Sequence, residues 1–215
     1  HELGDMRREF AFLARVSRLD GQLDVKFKLE ECVEQLFADT AWDSLRRQAL
    51  KLIVSINARG KAAAVSARKT ESPRIHLVND FRAIGGSENH TFRLYQVLSP
   101  CAEVILWSRS EPIGHYRALR SDMRVLDPSR GAVPEGGTLV IVGNYLDMAH
   151  WMDAAATCSR IVLSVNVPDL PHMKRILVAL TLMDELQAGY SVEFTYPSDM
   201  WRNRVGLGGV TEYPP

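Results

Sequence analysis

From Arg74 onward, short apolar runs rich in β-branched residues alternate with stretches at helical spacing, and that alternation leaves few folds open. The runs are RIHLVN (74–79), EVILW (103–107), MRVLD (123–127), LVIVG (139–143), RIVLSV (160–165), SVEFT (191–195) and GVTEY (209–213). Helical patterns lie between them at 87–98, 146–157 and 172–187, with a short helix after Pro197. Strands separated by helices must run parallel and be covered on both faces, so the expected fold is α/β, a doubly wound Rossmann-like parallel sheet.

The first seventy residues read differently. No proline occurs before Pro73, and apolar residues fall at helical steps, as in Leu3, Met6, Phe10 and Leu13, then Trp42, Leu45, Ala49, Leu52 and Ile56. Thr40 and Asp43 suggest a capping box, and Gly21 and residues 38–40 suggest breaks between two or three helices. Residues 1–70 are expected to form a helical hairpin, its stripe packed on itself or on the next domain, or a coiled-coil-like connector, a candidate homo-oligomerisation arm. The small, basic run ARGKAAAVSARKTESP is expected to be a linker ending at Pro73. Residues 71–215 then form the α/β domain.

Lys+Arg 26 balance Asp+Glu 26, which gives no electrostatic case for a nucleic-acid partner. Cys32, Cys101 and Cys158 show no paired spacing and read as reduced, buried thiols of a cytoplasmic protein, with no metal site. The longest apolar run, 176–183, is far short of a membrane span. A chain beginning at His1 suggests a piece of a longer polypeptide.

In a doubly wound sheet, ligands bind beyond the carboxyl ends of the strands, where the strand order reverses. Three such ends carry suggestive residues: Asp80 to Glu88, Gly143 to Met148, and Ser164 to Lys174. The stretch NDFRAIGGSENH lacks the G-x-G-x-x-G spacing of a dinucleotide loop, and the second strand ends in Trp107-Ser108-Arg109 without an acidic residue. A nicotinamide cofactor therefore fits only if Arg109 receives a 2′-phosphate. No Walker loop is present either. Two readings of the adjacent glycines remain: main-chain amides exposed to an anion at a helix start, or a plain turn capped by Ser87.

RIHLVNDFRAIGGSENH resembles the opening of the acceptor-side, N-terminal domain of retaining glycosyltransferases of the GT-B, family-4 type. Gly85, Gly86 and Glu88 match that family's G-G-x-E loop. The end, VEFTYPSDMWRNRVGLGGVTEYPP, is similar to its late strand, serine-led helix and passage into the donor domain, with Ser198 in the serine position. The resemblance covers Arg74 to Pro215. It implies one half of a GT-B fold that binds substrate through Gly85, Gly86, Glu88 and Ser198; Ser87 in the same loop, and Asn144 and Tyr145 at the strand end 143–148, are further substrate-binding candidates. Asn166 stands where the family usually carries a histidine, which leaves Asp169 and His172 as further candidates for catalysis. His90, Trp151 and Trp201 are candidates for lining the cleft, with a surface place for His90 and core packing for the tryptophans as the alternatives.

The resemblance also implies a nucleotide-sugar co-substrate, no cofactor, and a glycan or lipid-linked acceptor in bacterial surface polysaccharide synthesis, at the inner face of the membrane. The donor domain that would complete the cleft is missing from these residues, so the chain alone is expected to be inactive. The alternative is a non-catalytic α/β binding or assembly module with a helical arm.

Overall fold

The computed structural model describes residues 41–66, 74–142, 157–167, 169–185 and 189–211. Helix α1 (Trp42–Ser66) comes first, then β1 (Arg74–Asn79), α2 (Gly86–Leu98) and β2 (Glu103–Ser108). Next are α3 (Gly114–Leu119), β3 (Arg124–Val125), β4 (Thr138–Val142), β5 (Arg160–Ser164) and α4 (Leu170–Glu185). The last described elements are β6 (Ser191–Tyr196), α5 (Asp199–Val205) and β7 (Val210–Thr211). All seven strands lie in one sheet, ordered β3-β2-β1-β4-β5-β6-β7, and every pairing is parallel. The order reverses between β1 and β4, as expected for a Rossmann-like α/β fold.

Adjacent strand residues turn to opposite faces, and both faces are buried. Leu77 and Leu106 join Phe81, Tyr116 and Met123 on one side, with Phe92 and Tyr95 of α2 packed against them. Val78, Trp107, Leu139, Ile141, Ile161 and Leu163 belong to the larger core on the other side, with Met173, Ile176, Leu177 and Leu180 of α4. This double cover is why the strands read as nearly continuous apolar runs.

Helix α1 belongs to that larger core. Leu45, Ala49, Leu52 and Ile56, the stripe expected from the sequence, are buried in it against α4 and β6. Over Trp42–Ser66, then, the helical segment is a layer of the sheet domain, and the boundary expected at residue 70 does not separate two cores there. Arg59 fastens the contact by an ion pair to Asp184 of α4 at 2.8 Å. Residues 1–40, with Thr40 and the expected breaks, lie outside the described residues.

The expected linker is corrected in part, because α1 runs on through Gly60 to Ser66. The alanines that suggested a linker are the strongest helix formers. Gly60 is there for closeness: a Cβ on it would sit 2.4 Å from the Tyr190 carbonyl oxygen. Helix α3 is a finding the sequence did not announce, since Pro112 and Gly114 read as breakers and only Tyr116 of its six residues is buried. Strand β3 is shorter than the run 123–127: Leu126 still donates to the Ser108 carbonyl of β2, and Asp127 then leaves the ladder to pair with Ala132. Helix α4 begins at Leu170, two residues before the expected start, with Pro171 in its first turn, where proline is tolerated. The expected helix at 146–157 falls outside the described residues except for Thr157, which lies in a turn.

Candidate functional site at the carboxyl edge of the sheet

Strand β1 ends in Asn79, a buried polar side chain that organises the glycine loop. Its Nδ2 donates to Thr91 Oγ1 at 2.9 Å and lies 3.4 Å from Ser87 Oγ, while its Oδ1 accepts from the Asp80 main-chain N at 2.7 Å. Thr91 in turn donates to the Ser87 carbonyl at 2.8 Å. Ser87, expected to bind substrate, therefore faces the strand end and the helix that follows it. Asn79 ties strand, loop and helix together, and the only sequence signal for it was a polar residue closing an apolar run.

Helix α2 starts with Gly85 as its N-cap, in extended backbone, without a side-chain cap. Glu88 folds back over that position, so that a Cβ on Gly85 would lie 2.5 Å from its Oε2. Gly86 is exposed: among the described residues, and apart from its chain neighbours and its own helix, nothing lies within 4 Å of where its Cβ would be. Tyr116 of α3 supports the same turn from below. Burial pushes its hydroxyl pKa up, the Glu88 carboxylate adds to that, and a hydrogen bond with the Gly85 main chain works the other way. The G-G-S-E turn thus has one side closed by Glu88 and one side open at Gly86. A helix start of this kind presents N–H groups and a favourable dipole to an anion, and Glu88 sets a negative charge beside it.

Next to it, Asp80 meets Arg82 at 2.6 Å and accepts from Ser110 at 3.2 Å. Burial pushes its carboxyl up, but the Arg82 hydrogen bonds, the charges of Arg109 and Arg82 and the Ser110 hydroxyl hold it below its ordinary value. Arg109, at the end of β2, is thus near enough for its charge to act on the Asp80 carboxylate.

At the end of β5, Ser164 donates to Asn166 Oδ1 at 3.1 Å. Asn166 Nδ2 is buried and, among the described residues, has no hydrogen-bond partner. Asp169 then opens α4. One of its oxygens, Oδ1, takes both the main-chain N–H of His172 at 2.9 Å and the His172 ring Nδ1 at 2.7 Å. Burial raises the Asp169 carboxyl, but these two bonds and the positive charges of His172 and Arg175 lower it further. His172 is therefore both a helix-start residue and one half of an oriented pair.

Of the other expected residues, Ser198 caps α5, its Oγ accepting from Trp201 N at 3.4 Å, at the end of β6 and away from the order reversal. Trp201 packs against the main core, and His90 is half-buried in α2. Asn144, Tyr145 and Trp151 lie outside the described residues. Cys158 is buried, and its burial pushes the thiol up to about 11, whereas Cys101 is exposed, contrary to the expectation of buried thiols. Cys32 lies outside the described residues.

The structure thus brings together Gly85, Gly86, Ser87 and Glu88 around Asn79, and Asn166 with Asp169 and His172 on the β5–α4 connection. Neighbouring strands are about 4.8 Å apart, so the ends of β1 and β5, two strands apart, stand roughly 10 Å from each other. No helix among the described residues is long and apolar enough to cross a membrane. No protein-family model, curated protein or solved structure matches the chain.

Proposed function

We propose that this chain is the acceptor-side half of a two-lobed, GT-B-type glycosyltransferase. It works on a nucleotide-sugar and a glycan or lipid-linked acceptor, at the cytoplasmic face of a membrane in surface polysaccharide synthesis. The carrying observation is the bare main chain at Gly86, on a helix start beside the reversal of strand order, where an anionic ligand can approach. The second group of polar residues lies at the end of β5, two strands away on the same edge of the sheet. In this reading the open Gly86 side meets the charged part of the donor, and Asn166 with Asp169 and His172 face the acceptor. The donor lobe supplies the remaining contacts. One lobe alone positions neither reactant, and misplacement by itself lowers rates by about a hundredfold.

The test uses the longest polypeptide that carries this chain, with UDP-glucose, UDP-N-acetylglucosamine and GDP-mannose as donors and nucleoside diphosphate release as the measurement. Release by the wild type is expected with at least one donor. Gly86→Val is expected to lower it by about tenfold or more with an unchanged unfolding midpoint, because the new side chain enters space a ligand needs. Equal release by the variant, or none by the wild type, removes the reading.

The second reading, a non-catalytic binding or assembly module, draws on Ser198 and Asp169, both of which serve as helix caps. Nucleotide-sugar binding by the wild type without any turnover would favour it.

A further inference from the structure

Helix α1 carries apolar residues on two opposite faces, and the sheet domain uses only one of them. Leu45, Ala49, Leu52 and Ile56 are buried in the main core. At about 3.6 residues per turn, Arg47, Leu50, Lys51, Val54 and Ala58 share the face turned directly away from that stripe, and all five are exposed. Leu50 is 38% exposed and Val54 70%. Arg46 meets Asp43 at 3.6 Å and Arg59 meets Asp184 at 2.8 Å, but Arg47 and Lys51 make no ion pair among the described residues. An apolar strip beside unanswered cations fits an acidic amphipathic helix.

The chain carries a stretch of that chemistry just outside the described residues. Positions 25–36 read VKFKLEECVEQL, between the breaks expected at Gly21 and at 38–40. Val25, Leu29, Cys32 and Leu36 are spaced by four, three and four, and Glu30, Glu31 and Glu34 accompany them. Residues 37–41 join this stretch to α1, a connection short enough to make its two sides antiparallel neighbours. An antiparallel register that sets Leu29 beside Leu50 also sets Val25 beside Val54. It brings the glutamates alongside Arg47 and within a helical turn of Lys51. A second copy of α1 offers only the same unpaired cations, since its Asp43 is already paired with Arg46.

We infer that residues 25–36 dock as an antiparallel helix on the outer face of α1, covering Leu50 and Val54, and that this face is an intramolecular contact. The segment before α1 then adds a layer to the sheet domain and is not a homo-oligomerisation arm. The inference is independent of the glycosyltransferase reading.

Amide exchange on the intact chain tests this. A helix shorter than about 12–15 residues is marginal by itself in water, so amides 29–36 are protected only if the segment is docked. Protection of about tenfold or more is expected there in the wild type, and its loss is expected in Val54→Asp, with exchange in β1 and β5 unchanged. On a free surface, an aspartate at this exposed position changes nothing beyond α1. That result, or no protection at 29–36 in the wild type, overturns the inference. Cys32 gives a chemical readout: its labelling by a thiol reagent should be slower than that of the exposed Cys101 and should quicken in Val54→Asp. Equal labelling of the two thiols in the wild type overturns the inference as well. Protection should hold over an about tenfold dilution; protection that falls with a sedimenting dimer assigns the face to a second copy, against the inference.

Discussion

Asn57 of α1 binds both main-chain groups of Val192 in β6: its Nδ2 donates to the Val192 carbonyl at 3.1 Å, and its Oδ1 accepts from the Val192 N–H at 2.7 Å. Ser191 N already bonds Ser159 on the β5 side, so Val192, one residue on, points to the opposite edge. Strand β7 pairs only with Thr195 and Tyr196 and does not reach it. One asparagine therefore completes the ladder where the edge strand stops. Asn57→Ala is expected to destabilise the fold by about 1–3 kcal/mol, because two edge groups lose their partners together. Urea unfolding checks this, and a loss below about 0.5 kcal/mol would mean that water replaces the amide at no cost.

Gly60 gives a prediction of opposite sign to helix propensity. In an exposed helix interior, Gly→Ala stabilises by about 1 kcal/mol. Here the added Cβ meets main-chain atoms of Tyr190, the nearest at 2.4 Å, and main chain cannot swing aside as a side chain can. Gly60→Ala is expected to lower the unfolding midpoint; a higher midpoint would place α1 farther from the α4–β6 loop than 2.4 Å.

His76 governs an acid transition. Its Nδ1 accepts from Trp107 Nε1 at 2.9 Å, so the ring is neutral and its Nε2 donates to the Glu135 carbonyl at 3.2 Å. Burial is the main cause that holds its pKa below the ordinary 6.5, with Arg74 and Arg124 adding to it against the Glu135 bond and Glu103. The unfolded chain then binds the proton more readily than the folded one. The contribution is fully present above about pH 6.5 and is lost as pH falls from there through the folded value. Stability measured by urea between pH 8 and pH 5 should fall, with Trp107 fluorescence changing alongside. In His76→Gln the fall should be smaller, and an equal fall would assign it to other groups.

Asn79 holds the candidate site in shape. Asn79→Ala removes the donor to Thr91 and the acceptor for Asp80 N, an expected loss of about 1–3 kcal/mol. Amide exchange at Gly86 to Glu88 should quicken more than exchange in β5. Uniform quickening would show that Asn79 serves global stability and has no special hold on the loop.

The sequence alone determined the parallel α/β sheet, because strands buried on both faces must be apolar throughout and helices between them must carry a stripe. RIHLVN, EVILW and RIVLSV were legible for that reason, as was the face of α1 from Leu45 to Ile56. It also marked the turn at Gly85 and Gly86. Only the tertiary structure decided that α1 is a layer of the sheet domain, since a helical stripe names an apolar face and does not name what covers it. Only the tertiary structure paired the Asp169 and His172 side chains, because side-chain partners depend on chain directions in space that residue spacing does not fix. The reach of Asn57 to Val192, 135 positions apart, is the plainest instance: neither residue is unusual where it stands, and their bond exists because β7 is short.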